Sequence, residues 1–394
     1  MKKVLSVIAI ILAVLTIYFC FFDKDSTGTK TDNEEQLLES ILQNKELYPL
    51  YNSLSTEEKQ SYIKICTALN NFSKSTAMIY ESSSMAEAKQ FGRSITSLYR
   101  EIVYEQSEIF WVDPYVSELV IQESDGKCKV FIEPTYILKK EDALTKKEQF
   151  DKTIKKIVNE AKKKPTDFEK ILYVYDYILE NCSYDESLVE DEDAKTTAIT
   201  AYGCLMEGKT VCSGYTLAFD AIMKRLGFEC GAEFNNYSSF SILTGHVWNY
   251  CKIEGEYYYF DLTWDDTGYD SDAYKKYFDH GHEYFAITKE ELEKSNFTLS
   301  PDAPTPPCNG KKYNYFIRNG YNLSAYSLEA AKELISKQVA QNYVIMRFDS
   351  YGELLKAQSD LLEDGKIYDI VPGKDKIKYV TSHSNLHLYI FFED

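Results

Sequence analysis

Positive charge is in short supply: 44 Lys and Arg stand against 62 Asp and Glu, a formal net charge of −18 at pH 7. Sequence-independent binding to nucleic acid and peripheral docking on anionic lipid both need clustered cations, so the composition argues against either. Paired cysteine spacing is also lacking. The nine cysteines are odd in number and scattered, so no disulfide framework is indicated, although an extracytoplasmic pair is left open. Cys66, Cys128, Cys182, Cys204, Cys230 and Cys251 sit in apolar or aromatic stretches and read as small buried hydrophobes. There is no internal repeat and no low-complexity block, which argues against a repeat array.

Apolar residues are plentiful. A hydrophobic fraction of 44% with 14% aromatics excludes a wholly disordered chain, and 394 residues suggest two or three domains. The 33 tyrosines suit sheet faces and half-wet surfaces. Val4–Phe22 is a run of nineteen residues interrupted only by Ser6 and Thr16. A run of that length can cross ~30 Å of hydrocarbon. Lys2 and Lys3 before it place the short N-terminus on the cytoplasmic side and the bulk of the chain outside. No small-x-small site ends the run, so residues 1–22 read as an uncleaved signal-anchor. Cys20 as a lipid attachment site is the weaker alternative, because Phe19 fits a lipobox poorly.

In order, residues 23–33 read as a tether and 34–140 as a helical region followed by a β-hairpin turning at Asp125-Gly126. Residues 141–300 contain helices at Lys146–Lys163, Phe168–Asn181 and Thr210–Leu226. Strands follow near Glu229–Asn235, Ser241–Ile253 and Glu256–Leu262. Asp185–Asp193 is an acidic loop. Residues 301–312 form a linker with four prolines in its first seven positions, and 313–394 a small α+β domain.

The stretch Tyr202–Asp266 carries the chemistry. Cys212 stands where the helix closed by Gly227 begins, and a helix N-terminus stabilises a thiolate through its free N–H groups and dipole. Gly214 permits close approach by a chain or substrate. With Glu254-Gly255 as a hairpin turn, Trp248 lies opposite Asp261, and His246 comes within reach of Asp261 on one sheet face. A nucleophile, its base and the group that orients the base need those three residue types. Trp248 and Trp264 would wall the cleft, with the Cys212 N–H and Tyr202 as oxyanion donors.

The segments GKTVCSGYTLAF and GHVWNYCKIEGEYYYFDLTWDD, with their order Cys, His, Asp, resemble the transglutaminase-like superfamily, in particular its bacterial membrane-attached members. The resemblance covers roughly residues 168–285 and implies a papain-like α+β core, with the cysteine helix packed on an antiparallel sheet. It implies a Cys212 thiolate attacking a carboxamide or peptide carbonyl, His246 as base and acid, and Asp261 holding the imidazole. The expected function is an extracytoplasmic peptidase, amidase or cross-linking enzyme acting on protein, cell-surface or cell-wall peptide. The alternative is a non-catalytic surface scaffold. No cofactor is required.

Three other signals compete. Gly203–Thr210 matches the phosphate-cradling G-x-x-x-x-G-K-[ST], but Glu207 would face phosphate, and antiparallel hairpins are the wrong setting for a P-loop. His280-Gly281-His282-Glu283 and His383…His387 have ligand spacing without a partner cluster, so no metal is assigned to them. Asp265, Asp266, Asp270 and Asp272 make an oxygen-rich loop that could hold Ca²⁺.

Overall fold

The computed structural model describes residues 30–189, 196–235, 245–267, 272–294, 306–374 and 376–393. The apolar run Val4–Phe22 with Cys20, the end of the acidic loop and the first prolines of the linker lie outside them. Among the described residues no helix is long and apolar enough to cross a membrane.

Contacts divide the chain into two compact units. The first comprises residues up to Ile102 together with Ser117–Pro134. Its helices include Lys30–Gln43 and Thr56–Asn71, the latter started by a capping box in which Ser55 and Glu58 satisfy each other's backbone N–H. The expected periodic face is largely buried, at Leu37, Ile41, Tyr62, Ile63, Cys66 and Leu69, while Leu42 is exposed. Strands β1 (Tyr80–Ser82), β2 (Val112–Ser124) and β3 (Lys127–Tyr136) form a sheet in the order β1-β3-β2. The β2–β3 turn falls at Asp125 and Gly126, both at positive φ, as the Asp-Gly pair requires.

The second unit holds Val103–Val116 and everything from Thr135 onward. Helices Lys140–Ala161 and Asp167–Asn181 precede the short parallel pair β4 (Ser183–Tyr184) and β5 (Lys209–Thr210). Next comes the helix Cys212–Leu226, whose residues 212–223 are all buried. A helix buried over so much of its surface belongs in a core, and its buried Asp220 is paired with Lys224 at 2.8 Å. Gly227 ends it at φ 91°, where a Cβ would be strained, and the Phe228 N–H reaches Met223 O at 3.0 Å.

Against this helix lies an antiparallel sheet of β6 (Cys230–Phe234), β7 (Val247–Ile253), β8 (Glu256–Phe260) and β9 (Phe285–Ile287), in that order. Asn249 on β7 donates to Thr216 O of the helix at 3.0 Å, and Phe219 meets Phe260 at 5.3 Å. Glu254 and Gly255, at φ 50° and 91°, make the two-residue β7–β8 turn. The register Asn249↔Phe260, continued by one residue, sets Trp248 beside Asp261 as the turn chemistry predicts.

A second sheet, β10 (Asn322–Leu323), β11 (Tyr343–Phe348), β12 (Lys376–Ser382) and β13 (His387–Glu393), is ordered β10-β11-β13-β12. Its period-2 alternation serves two cores. Val344, Met346, Phe348, Leu388, Ile390 and Phe392 face one, and Ile345, Tyr389 and Phe391 join Tyr274 and Phe316 in the other. The buried Glu283 carboxylate fastens this sheet, accepting from Ser382 Oγ and Tyr389 OH at 2.9 Å each and from Asn385 Nδ2.

The eight cysteines of the described residues, including Cys212, are free thiols and buried. Cys230 and Cys251 stand directly opposite each other on β6 and β7 and remain unlinked.

Candidate active site

Cys212 is the first helical residue, with Val211 as an extended N-cap at φ −111°, so the sulfur sits in the field of the unpaired N–H groups of that turn. Close packing brings the helix start here. A Cβ on Gly214 would fall 1.7 Å from Thr210 Oγ1 and 2.8 Å from Thr200 O. The approach that Gly214 permits is thus made by the chain itself.

His246 immediately precedes β7 and Asp261 immediately follows β8, so the hairpin register delivers them together. His246 Nε2 lies 2.6 Å from Asp261 Oδ2, and Asp261 Oδ1 accepts the Trp264 N–H at 3.2 Å. The His246 N–H in turn donates to Asn235 Oδ1 at 2.8 Å. With Nε2 engaged, Nδ1 is the ring nitrogen left for the Cys212 thiol, which is within hydrogen-bonding reach of the imidazole. Burial works against the imidazolium. The Asp261 carboxylate and its hydrogen bond, reinforced by Cys212, outweigh it and push the His246 pKa up to about 10. Asp261 is 1% exposed, His246 15% and Cys212 6%.

The three aromatic residues expected to bind substrate separate. Trp264, 41% exposed, presents a ring edge-on to His246 at 6.4 Å and is the open wall of the site. Trp248 stacks on the imidazole at 5.5 Å but is 1% exposed, so it is a floor rather than a wall. Tyr202 points elsewhere. Its hydroxyl accepts from Lys146 Nζ at 3.3 Å and its ring lies 4.7 Å from Phe110, so what it contacts is Lys146 and Phe110. Tyr184 was missed by sequence reasoning. Its phenol pKa is pushed up to about 12, first by burial and then by the electrostatic influence of the nearby Cys212 and Glu186. The signal was its place two residues after Cys182, where β4 pairs with the strand leading into the cysteine helix.

Residues 154–262 match the family model described as Transglutaminase-like superfamily. That segment is a transglutaminase-like domain. The chain is 26% identical over 150 residues to kyphoscoliosis peptidase of Homo sapiens, covering 36% of this chain and 22% of that protein. To the Mus musculus kyphoscoliosis peptidase it is 26% identical over 128 residues, covering 30% and 19%. The chain thus spans under a quarter of these relatives' length. A crystal structure of a TGase aligns with 39% of this chain and 46% of its own at 14% identity and a TM-score of 0.27.

Behind Asp261 lies a buried polar shell. Tyr175 OH donates to Asp261 O at 3.1 Å and to Asp265 Oδ2 at 2.5 Å. Asp265 also accepts the N–H groups of Glu283 and Tyr284, at 2.8 and 3.0 Å. Burial raises the Asp265 pKa well above the carboxylate range, against the pull of those donors. Asp266 accepts Tyr215 OH at 2.7 Å and the Tyr184 N–H at 3.0 Å, tying β4 to the cysteine helix. Asp265 and Asp266, two of the four carboxylates of the expected Ca²⁺ loop, are therefore engaged by protein donors. Asp272 is exposed, and Asp270 lies outside the described residues.

The Gly203–Thr210 segment is a closed turn. Gly208 N–H bonds back to Gly203 O in a π-helical turn, and Glu207 accepts the Thr197 hydroxyl at 2.6 Å. The segment ends in β5, which among the described residues pairs only with the two-residue β4, and the larger sheet beyond the cysteine helix is antiparallel rather than the parallel sheet a P-loop belongs in. The histidine pair does acquire a partner. Asp176, on the Asp167–Asn181 helix, brings Oδ1 to 3.3 Å from His280 Nε2 and 2.8 Å from His282 Nε2, correcting the expectation that the pair stands alone. Burial lowers the His282 pKa, which favours its neutral imidazole.

Proposed function

We propose that the transglutaminase-like domain is a cysteine acyl-transfer enzyme acting on peptide or glutamine amide bonds. The observation that carries the proposal is the imidazole of His246, placed between the Cys212 thiol and the Asp261 carboxylate. The Cys212 sulfur, as thiolate, attacks the carbonyl carbon and forms a C–S bond. As the tetrahedral intermediate collapses, the C–N bond breaks and the His246 imidazolium gives its proton to the departing amine or ammonia. Water or a primary amine then attacks the thioester, His246 takes the proton of the incoming nucleophile, and the Cys212 thiolate leaves. Asp261 holds the ring with Nδ1 toward sulfur and stabilises its positive charge. The Cys212 N–H and the Tyr184 hydroxyl are the oxyanion donors of this scheme.

Substrate reaches the sulfur past Trp264, the exposed side of the site. The run Val4–Phe22 supports a membrane tether with the domain outside the cytoplasm, where cell-surface or cell-wall peptide is the candidate substrate. The experiment is mass spectrometry of a glutamine-peptide library incubated with the protein, with and without added amine. Cleaved, deamidated or amine-linked products that disappear with Cys212→Ala are expected. Equal turnover by that variant would refute the assignment.

One observation favours a second reading, a non-catalytic scaffold: Cys212 is 6% exposed, which limits access to its sulfur. A folded protein giving no product from any library member, with Cys212 inert to iodoacetamide, would favour it.

A further inference from the structure

We infer that Asp176, His280 and His282 form a divalent transition-metal site, best suited to Zn²⁺. It is distinct from the Cys212 site and does not depend on the reading of that site. Two imidazole nitrogens and one carboxylate oxygen converge, with all three donor atoms within 4.8 Å of one another. Tetrahedral Zn²⁺ with bonds of ~2.0–2.1 Å sets its donors roughly 3.3 Å apart. His280 Nε2 and Asp176 Oδ1 are 3.3 Å apart and His282 Nε2 and Asp176 Oδ1 2.8 Å, so two of the three donor separations lie near that value and the third is no more than 4.8 Å. Imidazole paired with carboxylate is a donor set for zinc and its neighbours, whereas calcium and magnesium prefer oxygen alone.

Packing holds the three side chains in place. His282 stacks on Tyr315 with centroids 4.0 Å apart and planes 7° from parallel. His280 is 10% exposed, and its Nδ1 is buried with no hydrogen-bond partner among the described residues. What orients that ring is therefore its Nε2 side, aimed at Asp176. Asp176 is 32% exposed, which leaves a solvent-facing fourth position for water. Between the two histidines, the Gly281 N–H donates to Asp265 O at 2.8 Å. A metal here would staple the Asp167–Asn181 helix to the loop that packs behind Asp261.

The test uses the full chain, stripped with chelator and titrated with Zn²⁺ alone. One ion per chain is expected, with an X-ray absorption shell of N/O at about 2.0–2.1 Å and no sulfur at about 2.3 Å. His282→Ala should weaken binding by at least ~100-fold, as loss of one of three protein ligands implies. Asp176→Asn, which keeps the size and hydrogen bonding of the side chain, should weaken it at least tenfold while circular dichroism shows the native fold. His383→Ala, outside the cluster, should bind as the parent does. A sulfur shell, no bound ion, or an unchanged Kd in folded Asp176→Asn and His282→Ala would overturn the inference.

Discussion

Asp261→Asn isolates what the carboxylate does for His246. Going from an ordinary imidazole pKa of 6.5 to about 10 corresponds to roughly 5 kcal/mol at 1.36 kcal/mol per tenfold change. The Asp261 carboxylate, with a smaller share from Cys212, must together supply at least that much, because burial of the ring acts in the opposite direction. Asparagine keeps the shape and one hydrogen bond but removes the charge, so the His246 pKa should fall well below about 10. The linkage follows from the direction of the shift. With its folded pKa raised, His246 stabilises the wild type fully below pH 6.5 and loses that contribution as pH rises to about 10. The stability gap between wild type and variant should therefore narrow over pH 6.5–10. Turnover should drop on the order of 10²–10⁴, the scale of losing the orienting group of a triad. The assay is NMR titration of the His246 ring protons in both proteins, beside chemical denaturation at several pH values. A wild-type ring that titrates near 6.5, or a variant whose ring titrates where the wild type does, would refute the reasoning.

Other outcomes follow from packing and charge. Gly214→Ala drives a methyl into Thr210 Oγ1 and the Thr200 carbonyl, so it should cost ~1–3 kcal/mol and displace the start of the cysteine helix, read as lower Tm with reduced turnover. Glu108, paired with Arg225 and Lys147, has its pKa lowered to about 2 because those cations outweigh its burial. Its contribution is present above pH 4.5 and lost as pH falls toward 2. Glu108→Gln should cost ~2–3 kcal/mol at pH 7 and much less at pH 2, measured by denaturant unfolding at the two pH values.

Short-range chemistry made the centre of the site legible. Glu254-Gly255 fixes the turn, the turn fixes the register, and the register brings His246 to Asp261. Gly227 likewise marked the helix end that places Cys212 fifteen residues earlier, at the other end of the helix. What stayed hidden depends on contacts across long separations. Asp176 lies 104 residues before His280, and no local pattern connects them. Tyr184 and Tyr202 both precede the cysteine helix, and only the β4–β5 pairing sets Tyr184 beside Thr210, on the strand that leads into that helix. Asp265 and Asp266 looked like free oxygens because the donors that occupy them come from Tyr175, Tyr215 and the backbone of Tyr184, Glu283 and Tyr284. The Gly203–Thr210 pattern was copied by a turn with other work to do, since spacing alone does not reveal whether backbone N–H groups are free.

The rate of iodoacetamide alkylation at Cys212, followed by peptide mass spectrometry from pH 4 to 10, tests the central claim most directly. A thiolate held by the imidazolium and the helix N-terminus should react at a nearly constant rate well below ~8.5, the pKa of a free thiol. A rate that rises only as pH passes ~8.5, or a residue 212 that stays unlabelled in the folded protein at every pH, would contradict it.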